Sequence, residues 1–273
     1  MISIITSIHN QYAMNRLYFE YLEKYTVHPF ELIIIDNAST DESPAFFRNK
    51  GVKLITNDGN YSYPHCQNQG IAAASHNLIA FFNNDLLVSP RWDEKLIALM
   101  TEHQLDVVSF ATNDRIENDK ATFRLRNRWK WIKTPLEFLF GNGYQNLRLM
   151  QRLMYGSWEA WTARRSQQFG HKVLEGFSGS CIASTRNALE KTGTWDERLQ
   201  AADFDFYLRT KKRNLAFGDI KPIHILLGVY FHHYGRLTFK GMKHYPFVDK
   251  MNIITPEEKW GKEMDALLQD ISR

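Results

Sequence analysis

The sequence predicts an α/β fold with a mostly parallel sheet flanked by helices. Short runs that are apolar throughout, such as Leu32–Ile35 and Leu78–Phe82, alternate with segments whose apolar residues recur at helical spacing, such as Tyr12–Tyr25. Strands that are apolar on both faces belong to sheets covered on both sides. The 273 residues, 44% of them hydrophobic, suffice for one large or two small domains. We expect a single domain over residues 1–273.

Each predicted element follows from one of these two patterns. Strands are expected at 2–5, 32–35, 52–55, 78–82, 106–110, 180–184 and 223–231. Helices are expected at 12–25, from 41 through 47, and at 63–75, 92–100, 203–213 and 256–271. Pro64 is compatible with this assignment because proline is tolerated in the first turn of a helix.

Residues 113–175 interrupt the alternation and predict a basic, aromatic helical insertion. Between residues 120 and 172 there are eleven Lys or Arg and two acidic residues, a net charge of +9, with four tryptophans nearby in the chain. This insertion can rest on an anionic membrane surface, form an acceptor-binding lid or oligomer contact, or be an ordinary helical subdomain. Residues 240–273 are expected to form a C-terminal helical segment.

Several classes of protein are excluded by what the sequence lacks. The longest apolar runs fall far short of the roughly 20 residues that cross a bilayer. Residues 2–8 lack a basic leader, so no signal peptide is predicted. Cys66 and Cys181 form neither a disulfide framework nor a metal spacing. We therefore expect a cytoplasmic protein, or one bound peripherally at the inner face of the membrane.

Polar residues follow three of the predicted strands. In open parallel sheets, ligands bind at the carboxyl ends of the strands, so these side chains are the first candidates for a site. They are Ser7, His9 and Asn10 after the first strand, Asp36 and Asn37 after the second, and Asn83, Asn84 and Asp85 after the fourth.

The chemistry of these residues suits a nucleotide and a metal. A carboxylate such as Asp85 can hold a hard divalent cation together with substrate phosphates. Asp36 and Asn37 can accept hydrogen bonds from a nucleobase or ribose. Asn and Asp are also common in turns, and a turn explains each group taken alone.

Two later motifs can supply a base and a metal ligand. Asp203 or Asp205 can act as a general base at the start of a helix, although helix capping also explains one of them. His232 or His233 can ligate manganese through a neutral imidazole, and spacing does not choose between the two.

Taken together and in order, these segments resemble the inverting glycosyltransferases of family 2, and most closely a rhamnosyltransferase-like branch. The resemblance covers most of the chain outside about 115–175. The segments that carry it are Ile2–Asn10, Ile33–Asp41, Asn60–Ile71, Phe81–Asp85, Phe177–Cys181, Thr194–Arg209 and His232–Phe239.

The resemblance implies a GT-A fold and transfer of one sugar from a UDP-, GDP- or dTDP-sugar to a carbohydrate or lipid-linked glycan in bacterial surface polysaccharide or glycoconjugate assembly. It implies Mn²⁺ or Mg²⁺ at Asp85 and a late histidine, with Asp203 as the base. It places the donor against Asn68, Gly179 and Ser180 as well as the residues that follow the strands.

The sequence departs from the family pattern at two positions. Ala202 stands where the family has a Glu before the base, and Asn83 replaces the first acid of the metal motif. No Gln-x-x-Arg-Trp motif follows Asp203, so a non-processive enzyme is expected. Two alternatives stay open: a catalytically silent sugar-nucleotide-binding protein, and a nucleic-acid-binding protein that uses the basic insertion. Nucleic acid is the less favoured partner, because no nucleic-acid motif is recognisable.

Overall fold

The computed structural model describes residues 1–235, 237, 247–250 and 253–268. Its first part alternates strands and helices as predicted. The elements are β1 (Ile2–Ile8), α1 (Tyr12–Tyr25), β2 (Phe30–Asn37), α2 (Ser43–Asn49), β3 (Lys53–Asn57), α3 (Tyr63–Ala73) and β4 (Leu78–Phe82).

The chain then adds a short strand, a longer helical part and the remaining strands of the sheet. These elements are β5 (Leu86–Leu87), α4 (Trp92–His103), β6 (Val107–Thr112), α5 (Asp119–Phe140), α6 (Tyr144–Tyr155), α7 (Trp158–Phe169), β7 (Val173–Glu175), β8 (Cys181–Thr185), α8 (Arg186–Thr192), α9 (Ala202–Phe217), β9 (His224–His233), α10 (Pro256–Trp260) and α11 (Lys262–Leu268).

The strands form one mixed sheet in the order β3-β2-β1-β4-β8-β6-β9-β5, with β7 also paired to β9. Strands β1, β2, β3 and β4 are parallel; β8 is antiparallel to both β4 and β6, and β9 is parallel to β6. Six strands therefore run in one direction and end at one edge of the sheet, where β8 begins. This edge collects the polar residues that follow the strands.

Helices cover both faces of this sheet, which explains why its strands are apolar throughout. Successive side chains of a strand point to opposite faces. Accordingly Ile4 and Ile34 belong to one buried core, whereas Ile5, Ile33 and Ile35 belong to the core on the other face. The predicted α/β fold is confirmed.

Two helical segments follow the predicted pattern to different degrees. Residues 113–175 contain α5, α6 and α7, as the sequence predicts for a helical insertion. The C-terminal helix, expected to be continuous over 256–271, is divided into α10 and α11 at Gly261, whose φ of +48° is unfavourable for other residues. Residues 269–271 lie outside the described part of the chain. Within the described ranges, none of the helices is both long and apolar enough to span a bilayer.

Candidate active site

A cleft lies at the edge of the sheet where the six parallel strands end. It consists of two adjoining cavities of about 220 and 720 Å³, both of which are lined by Tyr63, Asn83, His233 and Phe247. The predicted site residues at the smaller cavity are Ser7, His9, Asn37, Asn83, Asn84, Asp85 and His233. Those at the larger cavity are Asn83, Gly179, Ser180, Asp203 and His233. The structure thus brings the Asp85 and Asp203 segments to one continuous cleft.

Strand pairing brings Asp85 and His233 together. The short strand β5 pairs antiparallel with the end of β9, with Leu86 opposite His233. Asp85 immediately precedes β5, and its carbonyl accepts a hydrogen bond from the Tyr234 amide at 2.9 Å. The Asp85 Oδ1 and His233 Nε2 atoms consequently lie 3.1 Å apart.

A second carboxylate, Asp114, holds the other side of the His233 ring. Its Oδ2 contacts His233 Nδ1, and its side chain remains 45% exposed at the rim of the cleft. Burial alone would lower the pKa of His233, but Asp85 and Asp114 together raise it to about 10. Burial alone would also raise the pKa of Asp85, but the neighbouring His233 holds it below its ordinary value. Without other ligands, the three groups form an ion triad in which Asp85 and His233 are largely buried and Asp114 is partly exposed.

The Asp85–His233 pair fits the predicted Mn²⁺ or Mg²⁺. A carboxylate oxygen and an imidazole nitrogen are both ligands of such ions, and here the Asp85 Oδ1 and His233 Nε2 atoms face each other 3.1 Å apart at the smaller cavity. Mg²⁺ is commonly held by one or two carboxylates plus substrate phosphates. Within the described residues, no three His, Cys, Asp or Glu side chains are grouped to hold an ion by themselves. The pair therefore fits an ion that the donor diphosphate helps to hold.

The two candidate histidines lie on opposite sides of β9. Because side chains alternate along a strand, His233 reaches the cleft and His232 points away from it. The His232 ring is fully buried, its Nδ1 lies 2.8 Å from the Tyr155 hydroxyl, and it packs edge-on against Trp129. Burial lowers the pKa of His232 well below its ordinary value, so this ring is neutral. Only His233 of the pair is placed to meet a metal at Asp85.

Asp203 lies in the first turn of α9 and lines the larger cavity. Its carboxylate lies against the backbone of Gly179, where a Cβ would come within 1.7 Å of Asp203 Oδ2. Burial raises the pKa of Asp203, although hydrogen bonds from backbone amides oppose the rise. A carboxyl group with a raised pKa is better matched to accepting a proton near neutral pH.

Asp205, the competing candidate for the base, is held elsewhere. Its fully buried carboxylate accepts hydrogen bonds from Trp260 Nε1 at 2.9 Å and Arg209 Nε at 2.8 Å, and lies 2.6 Å from Lys259 Nζ. These contacts tie α9 to α10. Ala202, the position where the family has Glu, packs in the core below the cleft.

If Asp203 is the base that the resemblance implies, Gly179→Ala should displace its carboxylate and reduce kcat about 10²-fold, the scale of loss for a catalytic group misplaced by about 1 Å. The fold should persist, since the clash is with the end of a flexible side chain. Steady-state kinetics and a thermal melt of the same preparation measure the two effects. Gly143→Ala is the matched control, because a Cβ there meets nothing within 4 Å. Equal activity of the two variants would show that Asp203 is not held by this contact.

Three residues that were predicted to contact the nucleotide-sugar instead form hydrogen bonds within the protein, away from the cleft. Asn10 Oδ1 accepts hydrogen bonds from the backbone amides of Thr40 and Asp41, which joins the loops after β1 and β2. Asp36 is buried and its Oδ1 accepts from the Ser39 amide, as in an Asx turn. Asn68 bonds to the backbone of Trp195 through both ends of its amide. None of the three lines either cavity.

Other residues of the cleft were missed in the sequence. Asp114 follows β6, so the same rule of polar residues after a strand would have found it. Tyr63 lies between the cavities, and burial and then the Asp203 charge raise the pKa of its hydroxyl well above its ordinary value. Arg115, Gln200 and Phe247 also line the larger cavity, and no pattern in the sequence distinguishes them.

Residues 3–192 match the family profile described as Glycosyl transferase family 2. The chain belongs to this family. The predicted membership is thereby confirmed, and the rhamnosyltransferase-like branch stays a prediction. A search of curated protein sequences finds no match to this chain.

The chain is similar to solved structures of glycosyltransferases. TarS residues 1–349 from S. aureus in complex with UDP-GlcNAc aligns with a TM-score of 0.57 at 14% identity, over 99% of this chain and 71% of that one. Mannosyltransferase PcManGT from Pyrobaculum calidifontis in complex with GDP-Man and Mn²⁺ aligns with a TM-score of 0.49 at 16% identity, over 82% of this chain and 56% of that one. The chain thus spans just over half of the mannosyltransferase. At these identities the likeness to TarS shows the fold alone, which is the predicted GT-A fold.

Proposed function

We propose that this chain transfers one sugar from a nucleotide-diphosphate sugar to an acceptor hydroxyl, with inversion at the anomeric carbon and with a divalent metal. The observation that carries the proposal is the single cleft that holds the Asp85–His233 pair at one cavity and Asp203 at the next. One cavity then takes the nucleotide diphosphate and the other takes the sugar and its acceptor.

The smaller cavity suits the nucleoside. The His9 ring is fixed by a 2.7 Å hydrogen bond between its Nδ1 and the Asn37 carbonyl. The Asn37 amide in turn donates to the Tyr61 carbonyl and accepts from Asn57 Nδ2. Because these partners orient the rings and amides before a ligand arrives, they can contact a base or ribose with little rearrangement.

Asp85 and His233 would hold the metal, with the donor phosphates as further ligands. When bound, Mn²⁺ or Mg²⁺ neutralises negative charge on the diphosphate leaving group. Asn83 leaves the site with one carboxylate fewer than the family pattern, so retention of the ion should depend on the donor. The His233 ring would have to give up its proton to serve as a ligand.

Asp203 is placed to take the proton from the acceptor. A hydroxyl is a weak nucleophile, and a carboxylate that accepts its proton during attack raises the rate. Attack from the face opposite the leaving diphosphate inverts the anomeric configuration in one displacement. Phe177 at the wall of the larger cavity offers an apolar ring against which a sugar can pack. The acceptor would be a carbohydrate or lipid-linked glycan of bacterial surface polysaccharide assembly, met at the inner face of the membrane.

A thermal-shift series with UDP-, GDP- and dTDP-sugars, each with and without Mn²⁺, tests the proposal. A donor at about 100 times its Kd should stabilise the wild type by roughly 2.7 kcal/mol. We expect Asp85→Asn to lose the part of this shift that requires Mn²⁺, because the amide is a weaker ligand for a hard cation. Asp265→Asn, at an exposed position on α11, is the control that should keep it.

Two results would count against this function. A donor shift that is independent of Mn²⁺, and equal in wild type and Asp85→Asn, would remove the metal from the proposal. Donor binding without release of nucleoside diphosphate, with carbohydrate and lipid-linked acceptors present, would support the catalytically silent alternative.

A further inference from the structure

Helix α5 of the insertion exposes a row of large aromatic side chains. Phe123, Trp131 and Phe138 are 66%, 80% and 87% exposed. At about 100° of rotation per residue, the three lie within about 80° of one another around the helix. We call this side of α5, from Phe123 to Phe138, the outward face. Its opposite side buries Thr122 and Trp129 against the rest of the protein.

Cations flank the outward face on both sides. By the same rotation, Arg126 and Lys130 lie along one edge, and Arg124 and Arg128 lie along the other. All four are exposed. An aromatic strip bordered by Lys and Arg is the arrangement found where a helix rests in a membrane interface.

The apolar surface continues around the end of α5 onto α6. Leu139 and Phe140 end α5 and are exposed, and Phe140 and Leu149 line the same shallow depression between the two helices. The exposed residues of α6 repeat the combination of apolar and basic side chains next to one neutral polar residue, and they are Gln145, Arg148, Leu149, Arg152 and Leu153.

The charge of this surface favours one kind of partner. Residues 120–172 carry eleven Lys or Arg against two acidic residues, so an anionic surface is complementary to them. A second copy of the chain docked through the same surface would bring like charges together, because a two-fold interface pairs identical patches. A partner that binds only through charge would leave the aromatic side chains exposed to water, whereas a bilayer also offers them an apolar environment.

The inward side of α5 joins this surface to the catalytic cleft. Trp129 Nε1 and Lys133 Nζ donate hydrogen bonds to the Tyr234 carbonyl at 3.2 and 2.9 Å, next to His233. A partner bound to the outward face would therefore lie at a fixed distance from the cleft.

We propose that the outward face of α5 docks the protein on an anionic phospholipid bilayer. The aromatic side chains enter the interface, and the flanking arginines and lysine meet the phosphates. The proposal rests on the proposed function only in that docking would present the cleft to lipid-linked acceptors. Binding to vesicles requires neither donor nor metal, so its failure is distinguishable from failure of the catalytic proposal.

The test is flotation of the full chain with vesicles of phosphatidylcholine alone and of phosphatidylcholine mixed with phosphatidylglycerol, at low and high salt. We expect binding to the anionic vesicles at low salt. Arg124→Gln with Arg128→Gln should weaken partitioning about 25-fold, since each cation near the surface contributes roughly a fivefold factor. Trp131→Ser with Phe138→Ser should also weaken it at least fivefold. Leu215→Ser with Phe217→Ser, at an exposed end of α9, is the matched control.

Tryptophan fluorescence adds a local readout, because Trp131 is the most exposed of the seven tryptophans. A blue shift on anionic vesicles that is lost in Trp131→Phe supports docking through this face. The proposal is overturned by equal binding of the α5 and control variants, or by equal binding to neutral vesicles. It is also overturned if the α5 substitutions leave flotation unchanged but dissociate a dimer or abolish binding to single-stranded RNA.

Discussion

An Asp203→Asn enzyme is expected to bind its donor normally and to transfer sugar about 10²- to 10⁴-fold more slowly than the wild type. The amide nearly keeps the shape of the carboxylate but cannot accept the acceptor proton. Because the nucleotide diphosphate would bind at the smaller cavity with Asp85, and Asp203 lies at the larger one, the change should leave most of the donor affinity intact. The measurements are kcat for transfer and the donor-induced thermal shift with Mn²⁺.

The pH profile of the reaction gives a second readout on Asp203. Burial raises its pKa above the ordinary value of 3.8. Since a base must be ionised to act, kcat/KM should increase as pH rises through this pKa, with an acidic limb above pH 3.8. The limb should be absent from the residual activity of Asp203→Asn. Near-normal turnover of this variant, or an unchanged acidic limb, would place the base elsewhere.

The same pKa shift sets the sign of the effect on stability. A group whose pKa is raised on folding stabilises the protein most below its unfolded pKa, and this contribution is lost as pH rises through the folded pKa. At neutral pH the ionised Asp203 therefore opposes folding. Asp203→Asn should be at least as stable as the wild type in urea titrations at pH 7, so lost activity cannot be attributed to unfolding.

The sequence was sufficient to predict most of the fold because both periodicities are strong in the first hundred residues. Helix α1 and strand β4 have the predicted bounds, since each is an uninterrupted pattern between polar segments. The antiparallel direction of β8 could not be predicted, because a short apolar run looks the same in either direction. The division of the last helix at Gly261 was also missed, since a single glycine is often tolerated inside a helix.

The strand ends that line the candidate site could be predicted from the sequence, but the direction of each side chain could not. Ligands bind at the carboxyl ends of parallel strands, which finish at one edge of the sheet. This rule selected Asp85 and His9, and both line the smaller cavity. It also selected Asn10 and Asp36, whose side chains turn back to bond the backbone. A polar residue type indicates that hydrogen bonds will be made, but the partner depends on loops that meet only in the folded chain.

Two pairs of candidates illustrate the same limit. His232 and His233 are adjacent in the sequence, yet the pleat of β9 places one in the core and the other at the cleft. Asp203 and Asp205 are two residues apart on α9, yet one lies against Gly179 and the other bonds to Trp260. Each choice is decided by the neighbouring elements, whose positions the local sequence does not contain.

Asp205→Ala is expected to reduce the free energy of unfolding by about 3 kcal/mol, the lower end of the range for removing one member of a buried ion pair. The loss should be large because Arg209 and Lys259 would remain next to each other without the carboxylate that separates their charges, and Trp260 Nε1 would lose its acceptor. We expect the lower end of this range because the Arg209 and Lys259 side chains are partly exposed to water. Lys259 would also keep its ion pair with Asp196. Urea titration monitored by circular dichroism measures the change.

Asp219→Ala is the matched control, because Asp219 also pairs with one arginine and one lysine, Arg213 and Lys191, but at the surface. Exposed pairs contribute little to stability, so this variant should unfold close to the wild type. If Asp205 is structural, Asp205→Ala should lose stability while its folded fraction keeps an acidic limb in kcat/KM. If it were the base, its loss would abolish that limb, and Asp203→Asn would retain it.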